Sequence, residues 1–340
     1  MLMLKKTIAA LSLLSILAAC QNDENPSQPE PKPRQDINLT RAEQEFMDKG
    51  TDFAFRFFDQ VCSTEKEKPN IFVSPLSASL CLSMITNGAT DNTLAEMQNV
   101  LGFPANTFSL DDLNNYNQKL TSALLDLDNT TQLGIANSIW IEEGFKVYDS
   151  FVDVNKKMYD AQVQELDFTS PTAKDMINQW CATQTNNCIK EVIQEIPADV
   201  RMYLINALYF KGIWKSQFDK SATGQDNFTN VDGSQQKVAM MNQTATFNYT
   251  QTDDFSIAEL PYGNEAFSMV ILLPSGDKTL DESLPSLNYE NWKQWSKNMV
   301  GKELQIKLPR FKVEYDKELE EDMIAMGMKD AFDAYKAKFA

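Results

Sequence analysis

Whatever chemistry this chain performs is built without histidine. None occurs among its 340 residues, which removes imidazole as a general base, as the activator of a Ser or Cys nucleophile and as a zinc ligand. The remaining reactive side chains are 48 Asp and Glu, 31 Lys and Arg, and five Cys. A carboxylate pair would suffice for glycoside hydrolysis, but that needs two carboxyl groups facing across a cleft, and nothing in the sequence marks such a pair. Cys62, Cys81, Cys181 and Cys188 show no CxxC spacing, so neither a zinc site nor thioredoxin-like exchange is indicated. On one continuous helix Cys181 and Cys188 would lie about 10.5 Å apart, beyond disulfide reach, so bonding would require the helix to end between them. Free buried thiols are expected, together with no enzymatic activity, no cofactor and no metal.

The polar group that stands out is an amide. Met202–Phe210 is an apolar run rich in Leu, Ile, Tyr and Phe, closed by Lys211-Gly212, and reads as a strand buried on both faces. Asn206 lies in its middle. A buried carboxamide without partners costs about 1–3 kcal/mol, so other polar groups should converge on it, neighbouring backbone being the plainest source. Farther upstream, Asn70–Ser77 is a short strand running into a helix over Leu76–Gly88. Ser74 is placed to cap it, and Pro75 is pre-set for its first position.

The elements that must hold these groups follow in order. Met1–Cys20 carries Lys5-Lys6 ahead of an apolar segment, Ile8–Leu17, and then Leu17-Ala18-Ala19-Cys20. This is a signal peptide over 1–19, too short to span a membrane permanently. Small residues before a cysteine resemble the lipobox of bacterial lipoproteins, which implies cleavage before Cys20 and its acylation, each buried methylene being worth about 0.8 kcal/mol of membrane affinity. Asp23-Glu24 resemble an acidic surface-export signal, and a solvated linker charge explains them as well. Residues 20–38, with Pro26, Pro29, Pro31 and Pro33, read as an extended tether, and the folded domain occupies 39–340. It opens at the capping box Thr40-Arg41-Ala42-Glu43, ahead of an apolar helical face from Phe46 to Val61. Thr93-x-x-Glu96 repeats that spacing, and Gly102 ends the next helix. Helices are expected over Leu110–Asp128, Val147–Tyr159 and from Ser170-Pro171 to Thr185. Strands are expected over Leu133–Ile141 and Ala161–Phe168, the latter edge-like, with Trp140 in the core. Val238–Met241, Ile257–Tyr262 and Phe267–Pro274 give strands joined by short turns. Leu304–Leu308 and Phe311–Tyr315 flank Pro309-Arg310, and Leu319–Met328 closes the chain as a helix.

Asn-Ala-Leu-Tyr-Phe-Lys-Gly-x-Trp from Asn206 to Trp214, followed by Phe218 and Thr223, resembles the central-sheet strand of the serpins. So do Leu-Gly-Ile-Ala-Asn-Ser-Ile-Trp at Leu133–Trp140 and the ending Gly327-Met328-x-x-Ala331-Phe332. The resemblance runs from about Thr40 to the last residue. It implies an α+β single domain with a large mixed central sheet A, further sheets B and C and about eight helices. It also implies inhibition of a serine, or cysteine, protease by cleavage of a reactive loop and its insertion into sheet A. By the same resemblance Ser74 and Ser77 form the shutter with Asn206. Trp214, which packing alone would explain, marks the breach where insertion begins, and Arg310 pairs there with a glutamate at the loop's base. The last strand, the reactive loop with its scissile bond, and the shutter histidine are expected to follow Ala340, which makes this a C-terminally truncated form. A formal charge of −17 repels phosphate backbones, so no nucleic-acid partner is expected. The expected partners are a serine protease and, through Cys20, the outer membrane, placing the protein at the cell envelope, exposed to the exterior. The alternative is a surface interaction or scaffold lipoprotein on the same fold, with no inhibitory action.

Overall fold

The order of elements follows from where caps and apolar runs fall. The computed structural model describes residues 30–339, so the expected signal peptide, Cys20 and the first part of the tether lie outside the described residues. Helix α1 (Arg41–Thr64) starts on the expected capping box, with Thr40 N donating to Glu43 Oε2 at 2.7 Å and Glu43 N donating to Thr40 Oγ1 at 3.3 Å. Helix α2 (Pro75–Thr86) has Ser74 as its N-cap and Pro75 at N1. Then come α3 (Asp91–Leu101), α4 (Leu110–Asp126), β1 (Gln132–Glu142), α5 (Asp149–Tyr159), β2 (Gln162–Leu166), α6 (Ala173–Gln184) and β3 (Met202–Lys211). The chain continues through β4 (Gly224–Thr229), β5 (Gln235–Gln251), β6 (Phe255–Pro261), β7 (Ser268–Pro274), α7 (Leu280–Ser283), α8 (Tyr289–Lys297), β8 (Val300–Pro309) and α9 (Glu320–Met326). That makes nine α-helices among the described residues where about eight were expected.

Strands β2, β1 and β3 form a mixed sheet in that order, β1 being parallel to β2 and antiparallel to β3. Side chains alternate across it. Met202, Leu204, Ile139 and Ile141 join a core with α1 to α5 on one face, while Trp140, Tyr203, Ile205 and Ala207 join Ile177, Trp180 and Cys181 of α6 on the other. The expected sheets B and C are continuous through β5. It pairs with β4 over its first residues, with β8 along Met240–Tyr249 and with β6 at its end, β7 following β6. Residues 311–319 form no strand; from Lys312 to Leu319 exposed and half-buried residues alternate. Lys317 pins this segment to α1 and α9, its Nζ lying 2.9 Å from Glu65 Oε1, 2.9 Å from Thr64 Oγ1 and 3.2 Å from Asp322 Oδ2.

Two local expectations fail for tertiary reasons. Thr93 does not cap α3, which starts two residues earlier after Thr90. Thr93 is buried, and its hydroxyl accepts from Lys338 N at 3.0 Å, while Glu96 Oε2 accepts from Lys329 N and Asp330 N at 2.7 Å each. The capping-box pair thus serves the segment that folds back over α3. Cys62, Cys181 and Cys188 carry free thiols, as expected, but only Cys181 of these is buried. Burial, with Cys81 nearby, pushes the Cys181 thiol up to about 12.

Candidate functional site at the central sheet

Asn206 is fully buried, and the register of the β1–β3 ladder sets it directly opposite Asn137. Its Nδ2 donates to Asn137 Oδ1 at 2.8 Å. Asn137 Nδ2 in turn donates to the carbonyl of Tyr159 at 2.7 Å, at the end of α5. The expected convergence of Ser74 and Ser77 on this amide is not what the structure shows. Ser74 Oγ donates to Ser77 Oγ at 2.9 Å and accepts from Ser77 N at 3.3 Å, so the two hydroxyls serve the start of α2. The helix does pack on β3, but Asn206 bonds across the ladder. Cross-strand pairing wins because β1 supplies an amide at contact distance with no loss of helix cap. Asn206 Oδ1 is left buried with no hydrogen-bond partner.

Beyond Asn137 the polar contacts continue through side chains that sequence reasoning missed. Tyr159 Oη donates to Asn114 Oδ1 at 2.6 Å and accepts from Asn117 Nδ2 at 3.2 Å. Asn114 and Asn87 exchange amide bonds, at 2.8 Å in one direction and 3.1 Å in the other, and Asn87 Nδ2 reaches the Ser83 carbonyl at 3.1 Å. A chain of amides and one phenol therefore links β3, β1, α5, α4 and α2 inside the protein. Burial pushes the Tyr159 phenol up to about 12 against the bond from Asn117, so it stays a donor at neutral pH. Asparagines at the centres of two apolar strand runs were the one sequence signal of this arrangement.

Of the two residues expected at the breach, Trp214 stands just past the C-terminal end of β3 and Arg310 just past the end of β8. Trp214 is half-buried and forms an isolated bridge with Tyr262, the rings stacked at 4.3 Å between centroids and 17° between planes. Gly212 makes this approach feasible, since a Cβ there would lie 2.6 Å from Tyr262 Cδ1. Arg310 follows β8; its backbone N–H donates to the Ala239 carbonyl at 2.9 Å and its side chain is exposed.

Among the described residues β3 pairs with β1 alone, although Met202–Ala207 is buried without interruption. A strand closed on both faces by side chains yet paired on one edge carries a row of backbone donors and acceptors suited to another strand. The orphaned Asn206 oxygen is a further acceptor at the middle of that strand.

Comparisons with known proteins agree with this architecture. The family model described as "Serpin (serine protease inhibitor)" matches residues 48–340. An uncharacterized serpin-like protein of Methanosarcina acetivorans is 33% identical over 287 residues, covering 82% of this chain and 66% of that protein. Serpin B3 of Homo sapiens is 31% identical over 302 residues, covering 83% of this chain and 77% of its own length. The crystal structure of the thermophilic serpin tengpin in the latent state superimposes with a TM-score of 0.80 at 32% identity, covering 90% of this chain and 80% of that one. By fold, by family model and by relatives alike, the chain belongs to the serpin family.

Proposed function

We propose that the protein inhibits a serine-type endopeptidase by the route its family implies. A protease cleaves a reactive loop while held to it as an acyl-enzyme, and the cleaved loop enters the central sheet as a new strand beside β3. The observation that carries this reading is the match of the serpin family model over residues 48–340, with the β2–β1–β3 sheet and its buried Asn206–Asn137 pair in place. A strand that enters a sheet closed on both faces by side chains pairs its backbone groups out of water, and that pairing supplies the free energy of insertion. Asn206 with Asn137 is then the polar node of the shutter, the Ser74–Ser77 pair bearing on it through the packing of α2 against β3, with Trp214 and Arg310 assigned to the breach by the resemblance. Incubation of the natural full-length protein, reactive loop included, with a panel of serine proteases, followed by a denaturing gel, tests this. A complex that survives denaturation is expected with at least one of them; cleavage of the chain as an ordinary substrate by every protease would overturn the inhibitory reading and leave the scaffold one.

We also propose that Cys20 is acylated and that residues 20–38 tether the domain to the outer membrane, facing outward. The residue pattern around Cys20 supports it, and the chain chemistry of dual acylation suffices for stable anchoring. Cys20→Ala is expected to abolish metabolic labelling with a fatty acid and to shift the protein from the membrane fraction to the soluble one. Unchanged labelling would remove the proposal.

A further inference from the structure

Residues Glu30–Lys32 lie within the segment that the proline pattern marks as an extended tether, yet they are tied to the folded domain. Asn129, exposed in the α4–β1 connection, reads this segment as a strand would: its Oδ1 accepts from Lys32 N at 2.8 Å and its Nδ2 donates to the Glu30 carbonyl at 3.0 Å. The Lys32 carbonyl accepts from Asn264 Nδ2 at 3.2 Å, and Lys32 Nζ lies 2.9 Å from Asp126 Oδ1. Lys32 sits between Pro31 and Pro33. Its N–H is therefore the sole backbone donor of the three residues, and it is spent on Asn129. The flanking rings hold the segment extended, so little conformational entropy is lost on docking.

The dock is itself part of a buried knot. Asn264 Nδ2 also donates to the Leu127 carbonyl at 2.7 Å, and Asn264 N donates to Asp128 Oδ2 at 3.3 Å. The buried Asp128 carboxylate takes three more donors, Thr130 N at 2.8 Å, Thr130 Oγ1 at 2.7 Å and Thr131 Oγ1 at 2.8 Å. Gly263 (φ +39°) permits this closeness: a Cβ there would stand 2.1 Å from Asp128 Oδ2. Gly263 N donates to the Ile213 carbonyl at 2.8 Å, beside Trp214, and β1 begins just beyond the knot at Gln132, opposite the last residue of β3. The strap therefore meets the domain where the β1–β3 ladder, the Trp214–Tyr262 stack and the β6–β7 hairpin come together.

We infer that Glu30–Lys32 is a docked strap that steadies this head of the central sheet and relays to it any pull on, or cleavage of, the segment leading into the domain. Two substitutions in the full chain probe it from opposite sides. Asn129→Ala removes both amide contacts from an exposed side chain, and Lys32→Pro removes the donor while keeping the segment extended. Residue-level hydrogen exchange of the unaltered chain is expected to show the Lys32 amide protected about tenfold or more, as one satisfied hydrogen bond implies. Asn129→Ala should abolish that protection, and both variants should raise exchange several-fold at the amides of Thr130 and Asn264. An unprotected Lys32 amide in the unaltered chain would overturn the strap. Unchanged exchange at Thr130 and Asn264 in both variants would overturn the relay. Neither readout involves a protease, so the outcome is independent of the inhibitory reading.

Discussion

The two faces of the β2–β1–β3 sheet are filled by different means. On the face toward α6, Trp140, Tyr203, Ile205 and Ala207 meet Ile177, Trp180 and Cys181, the few polar bonds there span short stretches of chain, and the buried Tyr203 hydroxyl has no partner. Trp140 Nε1 donates to Ser138 Oγ at 2.9 Å. Asn178 clamps the chain after α6, donating to the Ile193 carbonyl at 2.8 Å and accepting from Val192 N at 2.9 Å and Ile193 N at 3.0 Å. Toward α1 to α5, the same strands alternate apolar residues with Asn137 and Asn206, and the polar contacts run from element to element rather than closing on themselves. One face is held by contact area, which tolerates small shifts. The other is held by directional bonds among buried groups, which fix one arrangement and lose much when it is disturbed.

The largest effect expected from breaking this contrast is on the area-dominated face. Trp140 is 2% exposed, and Trp140→Ala should cost about 3–5 kcal/mol, since the void left by an indole closes only in part. Urea denaturation with an unchanged slope measures it, and a cost below about 1 kcal/mol would mean that α6 is not packed as described. On the bonded face Asn137→Leu should cost about 1–3 kcal/mol, because it strands the Asn206 amide and the Tyr159 carbonyl. The double variant Asn137→Leu/Asn206→Leu sharpens the comparison. Removing both amides should recover a large part of the single-variant loss, whereas additive losses would show that the two amides act separately.

Tyr159→Phe tests the next link, with an expected cost of about 1 kcal/mol at neutral pH from loss of the donor to Asn114 and the acceptor for Asn117. Its pH dependence carries a sign. The folded phenol is raised to about 12 by burial, while an unfolded tyrosine titrates near about 10. Stability from this group is complete below about pH 10 and is lost as pH rises from there toward the folded value. The unaltered protein should therefore lose more stability than Tyr159→Phe between pH 10 and 12, followed by alkaline unfolding at fixed ionic strength. Equal slopes for the two would place the phenol in solvent.

Much of the frame was legible in the residues. Thr40 and Glu43 gave a true capping box, Ser74-Pro75 a true helix start, and the run from Met202 a strand buried on both sides, because each depends on neighbours along the chain. Contacts across long separations were not. Asn206 found Asn137, 69 residues away, which periodicity cannot register, and the serines chosen for it were already spent on α2. Thr93 and Glu96 had the right spacing for a cap and were claimed instead by backbone more than 230 residues later. The strap was hidden for the opposite reason: proline-rich composition marks an extended chain correctly but is silent on whether it docks.

The smallest expected effect decides what the serine pair contributes. If Ser74 is a helix cap and nothing more, Ser74→Ala should cost about 1 kcal/mol, while Ser74→Thr, which keeps an acceptor for Ser77 N, should cost only a few tenths. Ser77 is fully buried and its hydroxyl accepts from Ser74, so Ser74→Ala also leaves that oxygen without its donor. A loss well beyond a cap, about 2 kcal/mol or more, would show that the hydroxyl pair belongs with the bonded face of the sheet. A loss near 1 kcal/mol would confine the two serines to the helix start and leave Asn137 as the sole side-chain partner of Asn206. Thermal denaturation of the three proteins in one buffer separates these outcomes.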